Sequence, residues 1–236
     1  MSFYEELSRY YDEIFAVSPP DMAWLKTRLT GLKSLADIGC GTGNKTELLA
    51  EPGRSIVGLD SDPAMIELAQ ARHVRPGFSY QVGDMAALGE TFTPGLFDGL
   101  ICLGNTLAHL IEPEELLAFG RDAAWILASG GLLAIQILNY DYLRARRIPE
   151  LPVIDTEHVI FRRYYDWNGK ALRFRTRLEI KGGQVFENDL PLRPILKADL
   201  MEMLGLEFDS AEFFGGYDGR PLNHDSLVLM MLARRV

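Results

Sequence analysis

Short apolar runs alternate with helical segments through residues 34–138, and this alternation constrains the fold more than any other feature of the chain. Helical segments such as "AMIELAQAR" and "EPEELLAFGRDAAWILA" separate strand-like runs such as "SIVGLD" and "FDGLICLG". Strands that are almost wholly apolar, with helices between them, indicate a parallel sheet covered on both faces. Ligands of such sheets bind at the carboxyl ends of the strands. The five predicted strands are 34–38, 55–60, 78–84, 97–104 and 132–138.

The segments on either side of this alternation have different patterns. Two helical stretches, 2–15 and 21–29, precede it, and three strand-like segments follow Tyr140. The dipeptides Asn168-Gly169 and Gly182-Gly183 join these three segments and favour two-residue hairpin turns, which predicts a three-stranded antiparallel insertion. A helix and two strands are predicted to close the chain, at 198–205, 207–215 and 226–234. We expect one domain in three parts, a helical cap (1–30), a core (31–138 and 197–236) and the insertion (139–196).

Charge and cysteine content narrow the range of partners. A formal net charge of −9 argues against a nucleic acid or an anionic membrane as partner. The two cysteines, Cys40 and Cys102, lie in apolar sequence without metal-ligand spacing, which predicts a reduced, cytoplasmic protein with no metal site. The acidic, amphipathic start is unlike a signal peptide, and no apolar run is long enough to span a membrane. A small molecule is therefore the expected ligand.

A glycine-rich turn, "DIGCGTGN", follows the first predicted strand. Closely spaced glycines, here Gly39, Gly41 and Gly43, let a backbone turn tightly and approach a ligand without side-chain collision. Between a first strand and a first helix, this pattern predicts a cofactor loop rather than an ordinary turn. A dinucleotide fingerprint requires Gly or Ala where Asn44 stands, so the turn fits a nicotinamide cofactor less well.

Acidic residues end the second and third predicted strands. Asp60 can accept hydrogen bonds from both hydroxyls of a ribose, or it can cap the turn that follows, although Asp62 is already placed to cap the next helix. Asp84 can accept from an adenine amino group while Met85 packs on the ring, or it can be a plain turn residue. Both residues therefore keep a structural alternative to ligand binding.

The fourth predicted strand ends in "CLGNTLAHL", which presents an amide, a hydroxyl and an imidazole in quick succession. Asn105, Thr106 and His109 either turn the chain out of the core or face a pocket. The unperturbed pKa of a histidine lies near neutrality, so His109 is a candidate general base.

The motifs "LADIGCGTGN", "VGLD", "VGDM" and "FDGLICLGN", at these intervals, resemble the successive cofactor motifs of class I S-adenosylmethionine-dependent methyltransferases. The resemblance covers about residues 35–138 and, more weakly, the closing strands. It implies an α/β fold with a Rossmann-like seven-stranded sheet, whose last strand is antiparallel and whose two faces carry helices. It also implies that S-adenosyl-L-methionine is the cofactor. The implied cofactor site comprises Tyr11, Gly39, Gly41, Gly43, Asn44, Asp60, Ser61, Met65, Asp84, Met85, Leu103, Gly104, Thr106 and His109.

Within that site the resemblance gives particular residues particular partners. It implies that Asp60 binds the ribose and that Asp84 and Met85 bind the adenine. The carbonyls of Gly39 and Leu103 would bind the methionine end of the cofactor.

Two further stretches, "LGNTLAHL" and "NYDYL", are similar to the small-molecule group of these enzymes that includes glycine N-methyltransferase. That similarity implies that Leu103, Gly104, Asn105, Thr106 and His109 line the boundary between cofactor and acceptor. Asn105, His109 and Tyr140 are candidate catalytic residues. His109 would either accept a proton or order the methionine end of the cofactor. Tyr11 and Tyr140 are candidate aromatic walls for the sulfonium, although Tyr11 could equally be a core residue of an amphipathic helix.

One position departs from the glycine N-methyltransferase pattern. There, an arginine that clamps the carboxylate of the amino acid precedes the "NYD" match, and here Leu138 stands at that position. Glycine is therefore expected to be a poor acceptor unless an arginine of the insertion replaces the clamp, with Arg173 or Arg175 as candidates. Arg173, Arg175 and Arg177 alternate along one strand, so they share a face that is either solvated or turned to an anionic acceptor. Arg162 and Arg163 precede them on the neighbouring predicted strand and could join them.

These observations predict transfer of a methyl group from S-adenosylmethionine to a nitrogen or oxygen of a small acceptor, with the insertion as the acceptor cover. Two alternatives remain open at this stage, a non-catalytic module that binds S-adenosylmethionine and a nicotinamide-dependent oxidoreductase. A homodimer is a further expectation.

Overall fold

The computed structural model describes residues 3–73, 75–168 and 171–236, and contains two β-sheets and eight α-helices in those ranges. The helices are α1 (Phe3–Ile14), α2 (Pro19–Arg28), α3 (Asn44–Leu48), α4 (Pro63–Arg72), α5 (Leu88–Thr91), α6 (Pro113–Ile126), α7 (Tyr140–Arg146) and α8 (Lys197–Leu204). The strands are β1 (Ser34–Ile38), β2 (Ser55–Asp60), β3 (Phe78–Val82), β4 (Phe97–Cys102), β5 (Leu127–Leu138), β6 (Ile154–Asp155), β7 (Val159–Asn168), β8 (Ala171–Ile180), β9 (Val185–Leu192), β10 (Phe208–Phe214) and β11 (Val228–Arg235).

The larger sheet has seven strands in the order β10-β11-β5-β4-β1-β2-β3. The contacts of β1 with β2 and β4, of β2 with β3 and of β4 with β5 are all parallel, whereas β11 is antiparallel to both of its neighbours. This topology confirms the predicted seven-stranded sheet with an antiparallel last strand. The strand order reverses between β1 and β4, and ligands of open α/β sheets bind outside the carboxyl ends of the strands at such a point.

The central strands are buried on both faces because their residues alternate between two apolar clusters. In β4, Leu100 and Cys102 pack into the cluster that contains Phe119 of α6, while Ile101 packs with Leu25 of α2 on the opposite face. Successive side chains of a strand point to opposite faces, so a strand between two helical layers must be apolar at every position. This requirement explains why the predicted strands lack a polar–apolar alternation.

The insertion forms a second sheet, in the order β6-β7-β8-β9, with every pairing antiparallel. The three predicted strands are present, and the two-residue strand β6 adds a fourth that the sequence did not indicate. Asn168 pairs with Ala171 at the end of the β7–β8 ladder, but Gly169 lies outside the described residues. Ser2, the predicted start of the first helix, lies outside them as well.

Two predicted boundaries differ in the structure. We expected a helix to residue 128, ended by Gly130-Gly131, but α6 ends at Ile126 and β5 continues through both glycines. Gly130 has a φ of 74°, and the β4–β5 register shifts beside it, so the glycines form an irregularity within a strand. The second difference is α7, which follows β5 where we expected the insertion to begin. Among the described residues, no helix has the length and apolarity needed to cross a bilayer.

Candidate active site

The glycine-rich turn connects β1 to α3 through three left-handed glycines. Gly39, Gly41 and Gly43 have φ values of 71°, 56° and 79°, which L-residues with a side chain rarely adopt. A Cβ on Gly39 would lie 2.3 Å from Cγ2 of Thr106, and one on Gly41 would lie 3.3 Å from the ring of Tyr11. Glycine is therefore required at Gly39 both by its conformation and by the close approach of Thr106.

Asp60 supports this turn from the end of β2. Its Oδ2 accepts a hydrogen bond from the Gly41 N–H (2.8 Å), and its Oδ1 accepts one from the Asp62 N–H (3.0 Å). Asp62 caps α4 by accepting from the Ala64 N–H (2.8 Å), as predicted. Burial raises the pKa of Asp60, and its two backbone hydrogen bonds oppose that rise. Asp60 thus caps its own turn, and each carboxylate oxygen retains capacity for a further donor.

The end of β4 is fixed to the end of β5 through side-chain hydrogen bonds. Asn105 has a left-handed φ of 70°, its Oδ1 accepts from the Leu138 N–H (3.0 Å), and its Nδ2 donates to Oη of Tyr140 (2.9 Å). The amide of Asn105 is thereby engaged by the fold, although the residue still borders the cavity described below. It is therefore a positioning residue in this geometry.

Tyr140 does not line that cavity, which corrects our prediction of a pocket-wall aromatic. Its side chain is fully buried in the main apolar cluster, because the first turn of α7 directs it beneath β4 and β5. Burial raises the pKa of its phenol, and its hydroxyl is partnered by Asn105. Tyr140 is thus linked to the site by its hydrogen bond with Asn105.

Gln136 of β5, which the sequence analysis missed, holds a turn that borders the cavity described below. Its Oε1 accepts hydrogen bonds from the Gly104 N–H (2.7 Å) and from Oη of Tyr217 (2.6 Å). The two bonds fix the turn after β4 against β5 and the segment after β10. The available signal was a single polar residue within the apolar run "LLAIQIL".

A short 3₁₀ helix, Thr106–His109, follows β4 and brings two predicted residues to the site. Oγ1 of Thr106 donates to the Leu103 carbonyl (2.8 Å), which is the carbonyl that the resemblance assigned to the methionine end of a cofactor. Burial lowers the pKa of His109, although the charge of Asp60 opposes this effect. The imidazole is therefore neutral at neutral pH and can accept a proton.

These elements enclose a cavity of about 720 Å³, within the usual range for small-molecule sites. Its floor is the carboxyl edge of the large sheet, its side is α1, and its roof is the inner face of the insertion sheet. Predicted site residues that line it are Tyr11, Gly39, Gly41, Asp60, Ser61, Met65, Met85, Gly104, Asn105, Thr106 and His109. The roof supplies Phe161, Arg163, Tyr165, Phe174, Thr176, Asn188, Leu190 and Leu192.

Four predicted cofactor residues lie outside this lining, namely Gly43, Asn44, Asp84 and Leu103. Asp84 accepts from the Ala86 N–H (2.9 Å) and starts a short 3₁₀ helix, which is the turn role that we had kept as its alternative. Nδ2 of Asn44 donates to the Phe15 carbonyl (3.2 Å) and so fixes the end of α1 to the start of α3. These contacts give both side chains a structural role next to the cavity.

The insertion arginines divide between the two faces of their sheet. Arg173, Arg175 and Arg177 lie on the outer face and pair with Asp189 (2.8 Å), Asp166 (3.1 Å) and Glu187 (2.9 Å), which corresponds to the solvated alternative. Arg163 of β7 lies on the inner face and lines the cavity. The expected positive charge is thus present at the cavity but comes from Arg163, because strand alternation turns Arg173 and Arg175 outward.

Comparison with known proteins gives sequence matches to methyltransferases. The profile of a family described as a methyltransferase domain matches residues 35–131. Glycine N-methyltransferase from Mus musculus is 35% identical over 136 residues, which cover 51% of this chain and 46% of that protein. The chain therefore spans about half the length of the curated relatives it matches.

Solved structures match nearly the whole chain at lower identity. The CcbJ methyltransferase from Streptomyces caelestis has a TM-score of 0.80 at 20% identity, covering 100% of this chain and 98% of that one. CalS10, an amino pentose methyltransferase from Micromonospora echinaspora solved with bound S-adenosylmethionine, has a TM-score of 0.74 at 22% identity, with the same coverage of 100% and 98%. This likeness shows a shared fold. The profile match adds that residues 35–131 are similar to a methyltransferase domain.

Proposed function

We propose that this chain transfers a methyl group from S-adenosylmethionine to a nitrogen or oxygen of a small-molecule acceptor. The observation that carries the proposal is the single cavity in which the glycine turn and Asp60 lie opposite the insertion sheet. A cavity of about 720 Å³ has room for a nucleoside cofactor and a small second ligand side by side. The names of glycine N-methyltransferase and of the amino pentose methyltransferase CalS10 each include a small molecule, which supports that class of acceptor.

The residues of the floor fit the cofactor chemically. The left-handed glycines keep side chains away from a ligand at the end of β1, and Asp60 can accept from two ribose hydroxyls in addition to its backbone donors. We assign Met65 and Met85 to the adenine side and Thr106 and His109 to the methionine side. When bound, the cofactor supplies an electrophilic methyl group on a positively charged sulfur, and the face of an aromatic ring such as Tyr11 attracts a cation.

The chain's own contribution to methyl transfer is mainly orientation. In-line displacement depends on holding the acceptor atom and the methyl carbon in line, and positioning alone can supply a large share of a rate enhancement. The bonds of Asn105 and Gln136 fix the strand ends that border both ligands. An amine acceptor needs only to be neutral, whereas a hydroxyl acceptor needs a base, and neutral His109 can hold that proton.

Calorimetry tests the cofactor assignment. We expect micromolar-scale binding of S-adenosylhomocysteine, no binding of NADH, and a loss of about 2–3 kcal/mol of binding free energy in Asp60→Asn, since charge-assisted hydrogen bonds to the ribose are lost. Asp84→Asn is the matched comparison, because this carboxylate also ends a strand but lies outside the cavity lining. An unchanged affinity in a folded Asp60→Asn protein would remove Asp60 from the site.

Turnover separates the proposal from its alternatives. S-adenosylhomocysteine release across a panel of amines and hydroxy compounds supports methyl transfer. Cofactor binding without release for any acceptor would favour the non-catalytic module, and binding of NADH in place of S-adenosylhomocysteine would favour the oxidoreductase.

The proposal also covers the type of partner and the cellular compartment of the protein. The net charge of −9 supports a small molecule over a nucleic acid or an anionic membrane, and the two free, buried cysteines support a reduced, cytoplasmic setting. The homodimer stays a prediction, which sedimentation of the purified chain tests.

A further inference from the structure

The inner face of the insertion sheet carries two neighbouring polar side chains with unpartnered atoms. Arg163 of β7 and Thr176 of β8 stand directly opposite each other in the antiparallel ladder, and both line the cavity. Directly paired residues on one face have Cβ atoms about 4.5–5.5 Å apart, so the two side chains are neighbours. Nε of Arg163 and Oγ1 of Thr176 are both buried without a hydrogen-bond partner in the described part of the chain.

The charge of Arg163 also lacks a counter-charge. Its Nη2 donates to the Pro152 carbonyl (2.8 Å), and its guanidinium lies 5.8 Å from the ring centre of Phe161. Over the described ranges no carboxylate lies within ion-pair distance of it, whereas Arg173 and Arg175 on the outer face each have an aspartate. A half-buried cation without an opposite charge is costly, so an anionic partner at this position would be strongly favoured.

We propose that Arg163 and Thr176 bind a carboxylate of the methyl acceptor. The inference rests on the proposed function and deepens it by naming the acceptor class. A guanidinium offers parallel N–H donors that match the two oxygens of a carboxylate, and the Thr176 hydroxyl supplies a donor from the adjacent strand.

The rest of the roof favours a monoanion with an apolar remainder. Arg163 is the sole lysine or arginine among the described residues that line the cavity, so a dianionic group would keep one charge uncompensated. Phe174, Tyr165 and Leu190 surround the pair with largely apolar surface. These features suit a carboxylate on a small carbon skeleton better than a phosphate.

Arg163 is also placed between two cavities. A second cavity of about 1040 Å³ shares Gly104, Asn105 and Leu138 with the first and is bordered by Arg163 as well. Gly104, Asn105 and Leu138 lie at the ends of β4 and β5, the boundary between cofactor and acceptor in the proposed function, and Phe15 is shared as well. A carboxylate held by Arg163 would thus lie beside the methyl donor.

The test compares acceptors that differ only in charge. The probes are three pairs, glycine with glycinamide, 2-aminobenzoate with 2-aminobenzamide, and 3-hydroxybutanoate with 3-hydroxybutanamide. For each probe we would measure binding to the protein loaded with S-adenosylhomocysteine, and S-adenosylhomocysteine release with S-adenosylmethionine. We expect at least one carboxylate to bind about tenfold more tightly than its amide, as hydrogen bonds to a charged group imply.

Variants of Arg163 and Thr176 test whether these two residues cause the preference for the carboxylate over the amide. Arg163→Gln and Thr176→Val should each reduce the preference, with Arg163→Gln bringing it to within about twofold, while S-adenosylhomocysteine affinity stays within about twofold of wild type. Arg175→Gln is the matched control, since this arginine lies on the outer face and pairs with Asp166, and it should change neither quantity.

The outcomes distinguish failure of the proposed function from failure of the carboxylate subsite. Failure to bind S-adenosylhomocysteine would overturn the proposed function. Three results, each with normal cofactor binding, would overturn the carboxylate subsite alone. They are amides that bind as well as carboxylates, no binding of any probe, and a preference for the carboxylate that survives Arg163→Gln.

Discussion

Asp37 is a carboxyl group that the fold buries beneath the glycine turn. It lies in β1, is almost inaccessible to solvent, and accepts a hydrogen bond from Oγ1 of Thr46 in α3. Burial raises its pKa to about 6, while the Thr46 hydroxyl and the charge of Lys45 oppose the rise. The folded protein therefore binds a proton at Asp37 more tightly than the unfolded chain does, so stability is lost as the pH rises from the unfolded pKa to about 6.

We expect Asp37→Asn to stabilise the protein increasingly as the pH rises. The amide cannot ionise, so the variant avoids the loss of stability that wild type undergoes as the pH rises. That loss is absent below the pKa of Asp37 in the unfolded chain and complete above its pKa in the folded protein. The free energy of unfolding of the variant, minus that of wild type, should grow by about 2–3 kcal/mol between pH 4 and pH 8. Urea denaturation of both proteins across this range measures it, and a difference independent of pH would contradict the assignment.

Asp98 provides a control, because its ionisation is expected to stabilise the folded protein rather than destabilise it. Burial alone would raise its pKa, but hydrogen bonds from the Lys33 and Ser34 N–H groups lower it overall. A lowered carboxyl pKa stabilises the fold above the unfolded value and loses that effect as the pH falls. Asp98→Asn should therefore destabilise the protein at pH 7, and the effect should shrink towards pH 3.

At the scale of single elements, α1 is the part of the structure that covers the cavity from the side. Leu7 and Tyr11 line the cavity, and Leu7 also packs against Phe161 of the insertion sheet. Asp12 fixes the helix to the floor by accepting hydrogen bonds from Oγ1 of Thr42 in the glycine turn and from Arg72 of α4. We therefore expect release of a ligand from this part of the cavity to involve movement of α1.

Asp12→Ala should accelerate release of the cofactor. Loss of the two hydrogen bonds lowers the cost of displacing α1, and we expect the dissociation rate of S-adenosylmethionine to rise by about tenfold. A chase of bound radiolabelled S-adenosylmethionine with excess unlabelled compound gives the rate. Arg9→Ala is the control, because Arg9 lies on the same helix and pairs with Glu6 within it. Equal rates for Asp12→Ala and wild type would show that α1 does not limit release.

The sequence predicted the floor of the candidate site better than its roof. Residues that follow β-strands, such as Gly39, Asp60 and Thr106, were identifiable because parallel strands share one carboxyl edge. The roof depends on which face of β7 and β8 turns inward, and period-two alternation leaves both choices open until the sheet packs against a partner. Arg163 and Arg175 could therefore not be told apart, and Tyr140 could not be assigned to the core.

At the scale of the whole molecule, one apolar core extends through both sheets. Tyr165, Leu172 and Leu192 of the insertion belong to the same cluster as Leu100 of β4 and Phe119 of α6. A smaller cluster joins α1 to β7 and β8. The insertion is thus packed into the core rather than attached to its surface.

We expect the chain to unfold in one cooperative transition. Two variants can report on the two regions, one that keeps only Trp24, which packs against Phe214 of β10, and one that keeps only Trp167 of the insertion. Their fluorescence midpoints in urea should each coincide with the midpoint from circular dichroism of the same variant, as two-state unfolding requires. A Trp167 midpoint at clearly lower urea than the helical signal would indicate an insertion that unfolds on its own.

The parallel direction of the core strands was predictable from the sequence, whereas the boundary after α6 was not. Apolar runs and intervening helices specify a parallel α/β sheet through its burial requirement, and the glycine dipeptides indicated the hairpins. At Gly130-Gly131 the same residue type that usually ends a helix lies inside β5, between Leu127 and Leu132, which both pair with β4. The sequence carried no comparable signal for β6, whose two residues pair only with β7.

The side chains of β7 and β8 alternate between the two faces of the insertion sheet, so the residues that line the cavity can evolve separately from those on the outer face. Inward positions such as Arg163, Phe174 and Thr176 can mutate without altering the salt bridges of the outer face or the glycine turn on the far side of the cavity. A library confined to those codons would explore acceptor selectivity while leaving the cofactor floor and the surface charge unchanged. On the proposed function, single substitutions at these positions would change the acceptor without changing the cofactor.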